Sequence, residues 1–259
     1  MRERITSRVA LLAAALCLLL ILAACQNSTA STPADTSSAS AQSEDFGVFT
    51  DIAGETGTTY ANLFDVILDE KYDELWLEKC AAVVGEDSAA DAAAMLKAYI
   101  SRDIYGQDAV DAYASPELVG FDCWYINSAE QFTFKDHDVT ITTTDGASQT
   151  HTYTYLGKRT VGEGETMIYG GQKIDPSFEC DVYQSTDDAG EFTYLLLRDD
   201  TMQTTWHIEF RYGSDLDQLQ KYFTGPYAYW LSAGIDADAS ADTIDKVVNL
   251  FVTENLSGE

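Results

Sequence analysis

The stretch Arg198-Asp-Asp-Thr-Met-Gln-Thr-Thr-Trp-His-Ile-Glu-Phe210 decides how the C-terminal half of this chain is read. From Thr204 to Tyr212 polar and apolar side chains alternate, the two-residue period of a strand with one face against a core. Thr205, His207, Glu209 and Arg211 fall on one face; Trp206, Ile208, Phe210 and Tyr212 fall on the other. Asp199 and Asp200 stand where a hairpin would carry them back beside His207. One imidazole with one or two carboxylates is a legitimate zinc or manganese shell, weaker and less selective than three imidazoles. A strand histidine hydrogen-bonded to a carboxylate is the other reading of the same residues, and the sequence leaves both open.

The same period extends upstream. Phe121–Ile126, Phe132–Thr144, Thr150–Leu156, Thr166–Tyr169, Phe178–Tyr183 and Phe192–Leu197 are short runs rich in Thr, Tyr, Phe, Val and Ile. Turn signals separate them, among them Asp145-Gly146, Gly170-Gly171 and Asp187-Asp-Ala-Gly190. Seven candidate strands at nearly regular spacing predict an antiparallel meander closed into a barrel or folded as a sandwich.

Helical spacing flanks this β region. Tyr60, Leu63, Phe64, Ile67 and Leu68 recur at intervals of three and four, and Ala89–Ile100 is a run of strong helix formers. At the other end Leu216–Phe223 and Ser240–Phe251 read as helices, the latter capped by Ser240. Asp236, Asp238, Ser240 and Asp242 imitate calcium-loop spacing, but the loop's required glycine and terminal glutamate are replaced by Ala241 and Val247, so a cap is the better reading.

The N-terminus has its own character. Arg2, Arg4 and Arg8 precede an apolar run from Val9 to Ala24, the pattern of a secretory leader. Leu22-Ala-Ala-Cys25 resembles a bacterial lipoprotein cleavage box, which implies lipid on Cys25 and an extracytoplasmic, membrane-anchored protein. Residues 26–45, rich in Ser, Thr, Ala and Asp, read as a flexible tether. The expected division is a signal peptide at 1–24, a lipid-anchored linker at 25–57 and one domain at 58–259. That domain would hold a helical part (58–118), a β-barrel (119–213) and C-terminal helices (214–255).

The chain has 43 acidic and 15 basic side chains, a formal net charge of −28. Such a surface repels nucleic acid and anionic lipid and gathers cations, while also serving solubility. Of the five cysteines, Cys80, Cys123 and Cys180 fall in the expected domain and allow one disulfide of undetermined pairing. No Gly-x-Ser-x-Gly, phosphate-binding glycine loop or His-Glu-x-x-His is present, so binding rather than turnover is expected. His137, in Lys135-Asp-His-Asp138, reads as a loop residue. His151 alternates with Tyr153 and Tyr155 and reads as part of the barrel wall.

Taken in order, Tyr153-Thr-Tyr-Leu-Gly-Lys158, Phe178-Glu-Cys180, the Arg198–Phe210 stretch, Gly213-Ser-Asp215, Gly225-Pro-Tyr-Ala-Tyr-Trp230 and a final helix resemble the ZinT (YodA) family of extracytoplasmic zinc-binding proteins. That domain also forms the C-terminal part of AdcA-type uptake lipoproteins. The resemblance covers roughly Tyr60 to Val252. It implies a mainly β, α+β fold: a lipocalin-like (calycin) antiparallel barrel with an N-terminal helical cap and C-terminal helices. It also implies a zinc site of three histidines, one in a Ser-Asp-His element and two in a His-Phe-His element.

Against that pattern, Asp200 takes the first histidine's place, Thr205 the second's, and only His207 is kept. His151 stands where many relatives have the cysteine that pairs with the counterpart of Cys180. The candidate metal residues are thus His207 and Asp200, which the resemblance implies, with Glu209 and Asp199 added from the strand's polar face and the hairpin. The implied function is weak binding of a divalent cation, zinc first, for buffering or for delivery to a metal ABC transporter. The alternative is a decayed metal site, with Tyr227, Tyr229 and Trp230 at the barrel mouth binding a small organic ligand or a partner protein. Those aromatics also fit ordinary packing of the last helix on the barrel.

Overall fold

The computed structural model describes residues 45–100, 129–169, 172–199, 205, 207–221 and 232–256. The leader, Cys25, the tether to residue 44, Cys123, the strand expected at 121–126, Asp200 and the Tyr227–Trp230 aromatics lie outside them.

Eight strands close into an antiparallel barrel. In chain order they are β1 (Thr58–Asn62), β2 (Ala129–Lys135), β3 (Asp138–Thr143), β4 (Ser148–Val161), β7 (Phe178–Ser185), β8 (Tyr194–Arg198), β9 (His207–Gly213) and β10 (Ser232–Asp236). Each pairs with the next, and β10 returns to β1 through Tyr60↔Asp236 and Asn62↔Gly234. This is the up-and-down closure that removes sheet edges, the architecture of lipocalins. A separate hairpin of β5 (Met167–Tyr169) and β6 (Gln172–Ile174) branches off between β4 and β7.

The expected barrel limits of 119 and 213 are too narrow. Thr58-Thr-Tyr60 borders a helical pattern, yet it forms a strand, because β-branched and aromatic residues suit a pleated surface. The helix starts only at α2 (Leu63–Ile67), where the Asn62 side chain caps the Phe64 N–H. β10 escapes sequence reading because Ser232-Ala-Gly-Ile-Asp236 is short and small. Its Gly234 sits close against its neighbours: a Cβ there would lie 3.2 Å from Ile208 Cγ1 and 3.3 Å from Tyr60 Cβ, so those side chains would have to give by a few tenths of an ångström.

The expected linker also ends early. Residues 46–53, including α1 (Phe49–Ala53), pack on the barrel, with Phe49 and Ile52 fully buried. Val48 N–H donates to Asp181 at 2.9 Å, Phe49 N–H to the Tyr183 hydroxyl at 3.1 Å, and that hydroxyl donates to the Phe46 carbonyl at 2.8 Å. The polar stretch before these apolar anchors masks them in the sequence, although they are spaced closely enough to find a core.

Two cores result. Inside the barrel, Phe132, Phe134, Phe192, Phe210 and Tyr212 interlock, with the rings of Phe132 and Phe210 5.0 Å apart and those of Phe192 and Tyr212 4.9 Å apart. The second core lies under α3 (Asp73–Val84), α4 (Glu86–Tyr99) and α6 (Ala241–Leu256), which bury Trp76, Leu96, Val248 and Phe251 with Ala233 and Ile235 of β10. Ser240 accepts the Thr243 N–H at 3.1 Å, so α6 carries the cap expected of it. The four-residue helix α5 (Leu216–Leu219) closes the chain over Arg211, whose guanidinium donates to the Leu219 and Lys221 carbonyls. Among the described residues, Cys80 and Cys180 are both free thiols, the first in the helical core and the second in the barrel core.

Candidate metal centre on the outer face of the barrel

β9 sorts its side chains as its alternation requires. Ile208, Phe210 and Tyr212 belong to the barrel core, and His207, Glu209 and Arg211 take the opposite face. That face is covered, so all three are buried.

Thr205 and His207 come together on it. The Thr205 hydroxyl lies 2.6 Å from His207 Nδ1. Thr205 and His207, which the sequence resemblance matches to a pair of histidines, therefore meet as a hydroxyl and an imidazole. Around them the setting is apolar: Leu63 and Phe64 of α2, Ala233 of β10, and Val247, Leu250 and Phe251 of α6 enclose a cavity of about 20 Å³. A space that small admits one water-sized body. Burial pushes the His207 imidazole down to about 4, and the positive charge of Arg198 adds to the effect. His207 is thus neutral at pH 7, the form in which an imidazole can ligate a metal.

The carboxylates proposed to join it are placed differently. Glu209 sits directly across from Arg198 in the β8–β9 register, and Arg198 Nη1 donates to Glu209 Oε2 at 3.3 Å. With side-chain exposures of 11% and 5%, the two charges are compensated away from water, and breaking the pair would leave a buried charge uncompensated. Glu209 is thereby turned into the partner of a guanidinium. Asp199 follows β8 and is exposed. Among the described residues, no three side chains of His, Cys, Asp and Glu gather to hold a metal ion. Asp200 stands outside the described residues.

The other histidines also find places. His137 is exposed at the β2–β3 turn and stacks on Phe46 with ring centroids 3.9 Å apart. His151 is buried on the barrel wall as expected, and its Nδ1 contacts Asp187 Oδ1 at 3.0 Å. Asp187 also accepts from Ser185. These bonds, Ser185 first and His151 second, hold the Asp187 carboxyl below the usual carboxylate range. Sequence reasoning misses Asp187, which looks like turn punctuation, and Arg198, whose role follows from register across the hairpin.

No family model matches the chain, and no curated protein matches it. Among solved structures, the likeness is to ZinT-like domains. The Zn(II)-bound ZinT-like domain of Streptococcus pneumoniae AdcA is 15% identical, with 76% of this chain and 89% of that one covered and a TM-score of 0.44. Zn(II)-bound AdcA from the same organism is 13% identical, with 78% of this chain and 36% of that one covered and a TM-score of 0.42. These structures bear the family name that the sequence motifs suggest. Superposition at this level carries no weight for function, and the barrel assignment rests on the closed strand pairing from β1 round to β10.

Proposed function

We propose that this chain is an extracytoplasmic lipoprotein, anchored through Cys25, whose barrel binds a divalent cation weakly through a depleted ZinT-type site at His207. It acts as a binding protein rather than an enzyme, buffering zinc or passing it to an uptake system. The carrying observation is the Thr205–His207 pair. The hydroxyl fixes one imidazole nitrogen at 2.6 Å, and burial keeps the ring neutral. Orientation of a ligand histidine through its other nitrogen is what metal sites generally require. Asp200 would supply the carboxylate, and the net charge of −28 would concentrate cations near the domain.

Weakness follows from the same surroundings. The walls next to His207 are aliphatic and aromatic, Glu209 is engaged by Arg198, and the guanidinium opposes a second cation nearby. Zinc would have to draw in Asp200 and water to complete its shell.

One observation favours a second reading. The apolar enclosure of His207 is what a metal site converted to packing would look like, leaving the barrel to bind an organic ligand or a partner protein. Isothermal titration of the leaderless chain with zinc separates the two. Cation binding requires saturable heat that the His207→Ala variant lacks. Absence of heat in the micromolar range, with variant and parent alike, overturns it in favour of the second reading.

A further inference from the structure

Arg198 stands where three strands meet. It ends β8 and faces Glu209 of β9 in register, and its guanidinium carbon lies 5.4 Å from the ring centre of Phe178 at the start of β7. The aromatic face and the carboxylate together fix the position of the charge.

Burial sets this ion pair apart from a surface one. With side-chain exposures of 11% and 5%, the carboxylate is enclosed and needs a compensating charge. Arg211, two positions farther along the face of Glu209, directs Nη1 to the Leu219 and Lys221 carbonyls. Arg198 makes the ion pair to Glu209, at 3.3 Å. A guanidinium stays protonated in proteins, so this compensation is permanent.

Glu209 shares its face with His207, two residues away and therefore about 7 Å along the strand, a spacing from which two side chains can lean onto one ion. A unit positive charge already holds that ground, and it opposes a second cation. Arg198 also has a way out. It is the last residue of β8, Asp199 after it is exposed, and its long stem can carry the charged head to water. A guanidinium that swings away opens Glu209 to a replacement.

We propose that Arg198 is a built-in counter-cation, occupying at Glu209 the place that a divalent metal ion of the zinc or manganese kind would otherwise take. The domain is thereby complete without metal, and an ion must displace the guanidinium to reach Glu209. A guanidinium tethered beside its carboxylate competes at high effective concentration, which keeps binding weak and release easy. This inference rests on the reading of the His207 face as a cation site and adds to it the residue that sets the affinity.

Thermal melting and calorimetric zinc titration of leaderless chains test it. Arg198→Gln should melt below the parent in EDTA and be restored by zinc. Its dissociation constant for zinc should lie at least about tenfold below the parent's, because one opposing charge is gone. If this variant is unfolded without metal, zinc-induced folding followed by circular dichroism is the same readout. Arg198→Lys keeps the charge and should show no such gain. Arg198→Gln combined with Glu209→Gln removes both charges at nearly constant shape, so it should fold without metal and lose the gain. Zinc bound loosely to the acidic surface is common to all these proteins and cancels in the comparison.

Adding His207→Ala to Arg198→Gln separates this inference from the site it rests on. A gain that survives keeps Arg198 as the counter-cation and removes His207 as a ligand, whereas a gain that vanishes supports both. The proposal is overturned if Arg198→Gln gains nothing, including the case in which zinc neither folds nor stabilises it. It is equally overturned if the gain persists without the Glu209 carboxylate or is matched by Arg198→Lys.

Discussion

His207 gives the sharpest energetic prediction, because its surroundings set both a sign and a size. The imidazole is 2% exposed and is pushed from 6.5 down to about 4. The unfolded chain takes up this proton near its ordinary value, whereas the folded chain resists until much lower pH. The stability tied to a neutral His207 is therefore complete well above pH 6.5 and is lost as pH falls toward 4. Each tenfold difference in proton affinity between the folded and unfolded chain corresponds to about 1.4 kcal/mol. The loss should thus be about 1 kcal/mol near pH 5.5 and about 3 kcal/mol near pH 4.

Carboxylates elsewhere also titrate in this window, and a difference measurement removes them. His207→Leu places an aliphatic side chain against Leu63, Val247 and Leu250 and has no proton to take up. Urea unfolding of both proteins at pH 7.5, 5.5 and 4 gives a stability difference at each pH. That difference should move in favour of the leucine variant by about 3 kcal/mol between pH 7.5 and 4, whatever its starting value. A difference constant with pH would mean that His207 is hydrated and titrates normally, and its enclosure by α2 and α6 would be refuted.

Three other outcomes follow from the packing. Gly47 has φ +58°, and a Cβ there would lie 2.7 Å from Asp181 Oδ2, so Gly47→Ala should cost about 1–3 kcal/mol in chemical denaturation and free the segment around Phe46 from the barrel. Cys180 is 2% exposed with burial pushing its thiol up to about 12, and Cys80 is fully buried with its thiol also raised. Neither should be alkylated by iodoacetamide in the native protein at pH 8, while both should react in denaturant when peptides are resolved by mass spectrometry. Asp187→Ala should lower the melting temperature at neutral pH by removing the acceptor of His151 and Ser185. Because the Asp187 carboxyl is held low in the fold, its contribution is present above the ordinary carboxylate range and lost as pH falls below it, so the two melting curves should approach each other in acid.

What the sequence discloses tracks the physical scale of each signal. Period-two alternation announces β9, and Ser240 announces the cap of α6, because both are local patterns set by neighbours in the chain. The closing strands are concealed for opposite reasons. Thr58–Asn62 runs straight into a helical pattern, and Ser232–Asp236 has too little side chain to show a period. Both become strands because closure leaves β1 and β10 to pair with each other, which is a property of the whole barrel.

The site shows the same division. Facing side chains on β9 follow from alternation, so His207 and Glu209 fall on one face as the sequence requires. That α2 and α6 would cover His207 with Phe64 and Phe251, and that Arg198 would claim Glu209, depends on long-range packing and on hairpin register. A set of chemically suitable residues cannot reveal which of them are already engaged.

The depleted site is tested most directly by X-ray absorption at the zinc edge on the leaderless chain loaded with one equivalent of zinc. The expected spectrum shows a single imidazole among oxygen donors, and that imidazole signal disappears in His207→Ala. A shell with no imidazole, with two or more, or with sulfur would contradict the assignment of cation binding to His207.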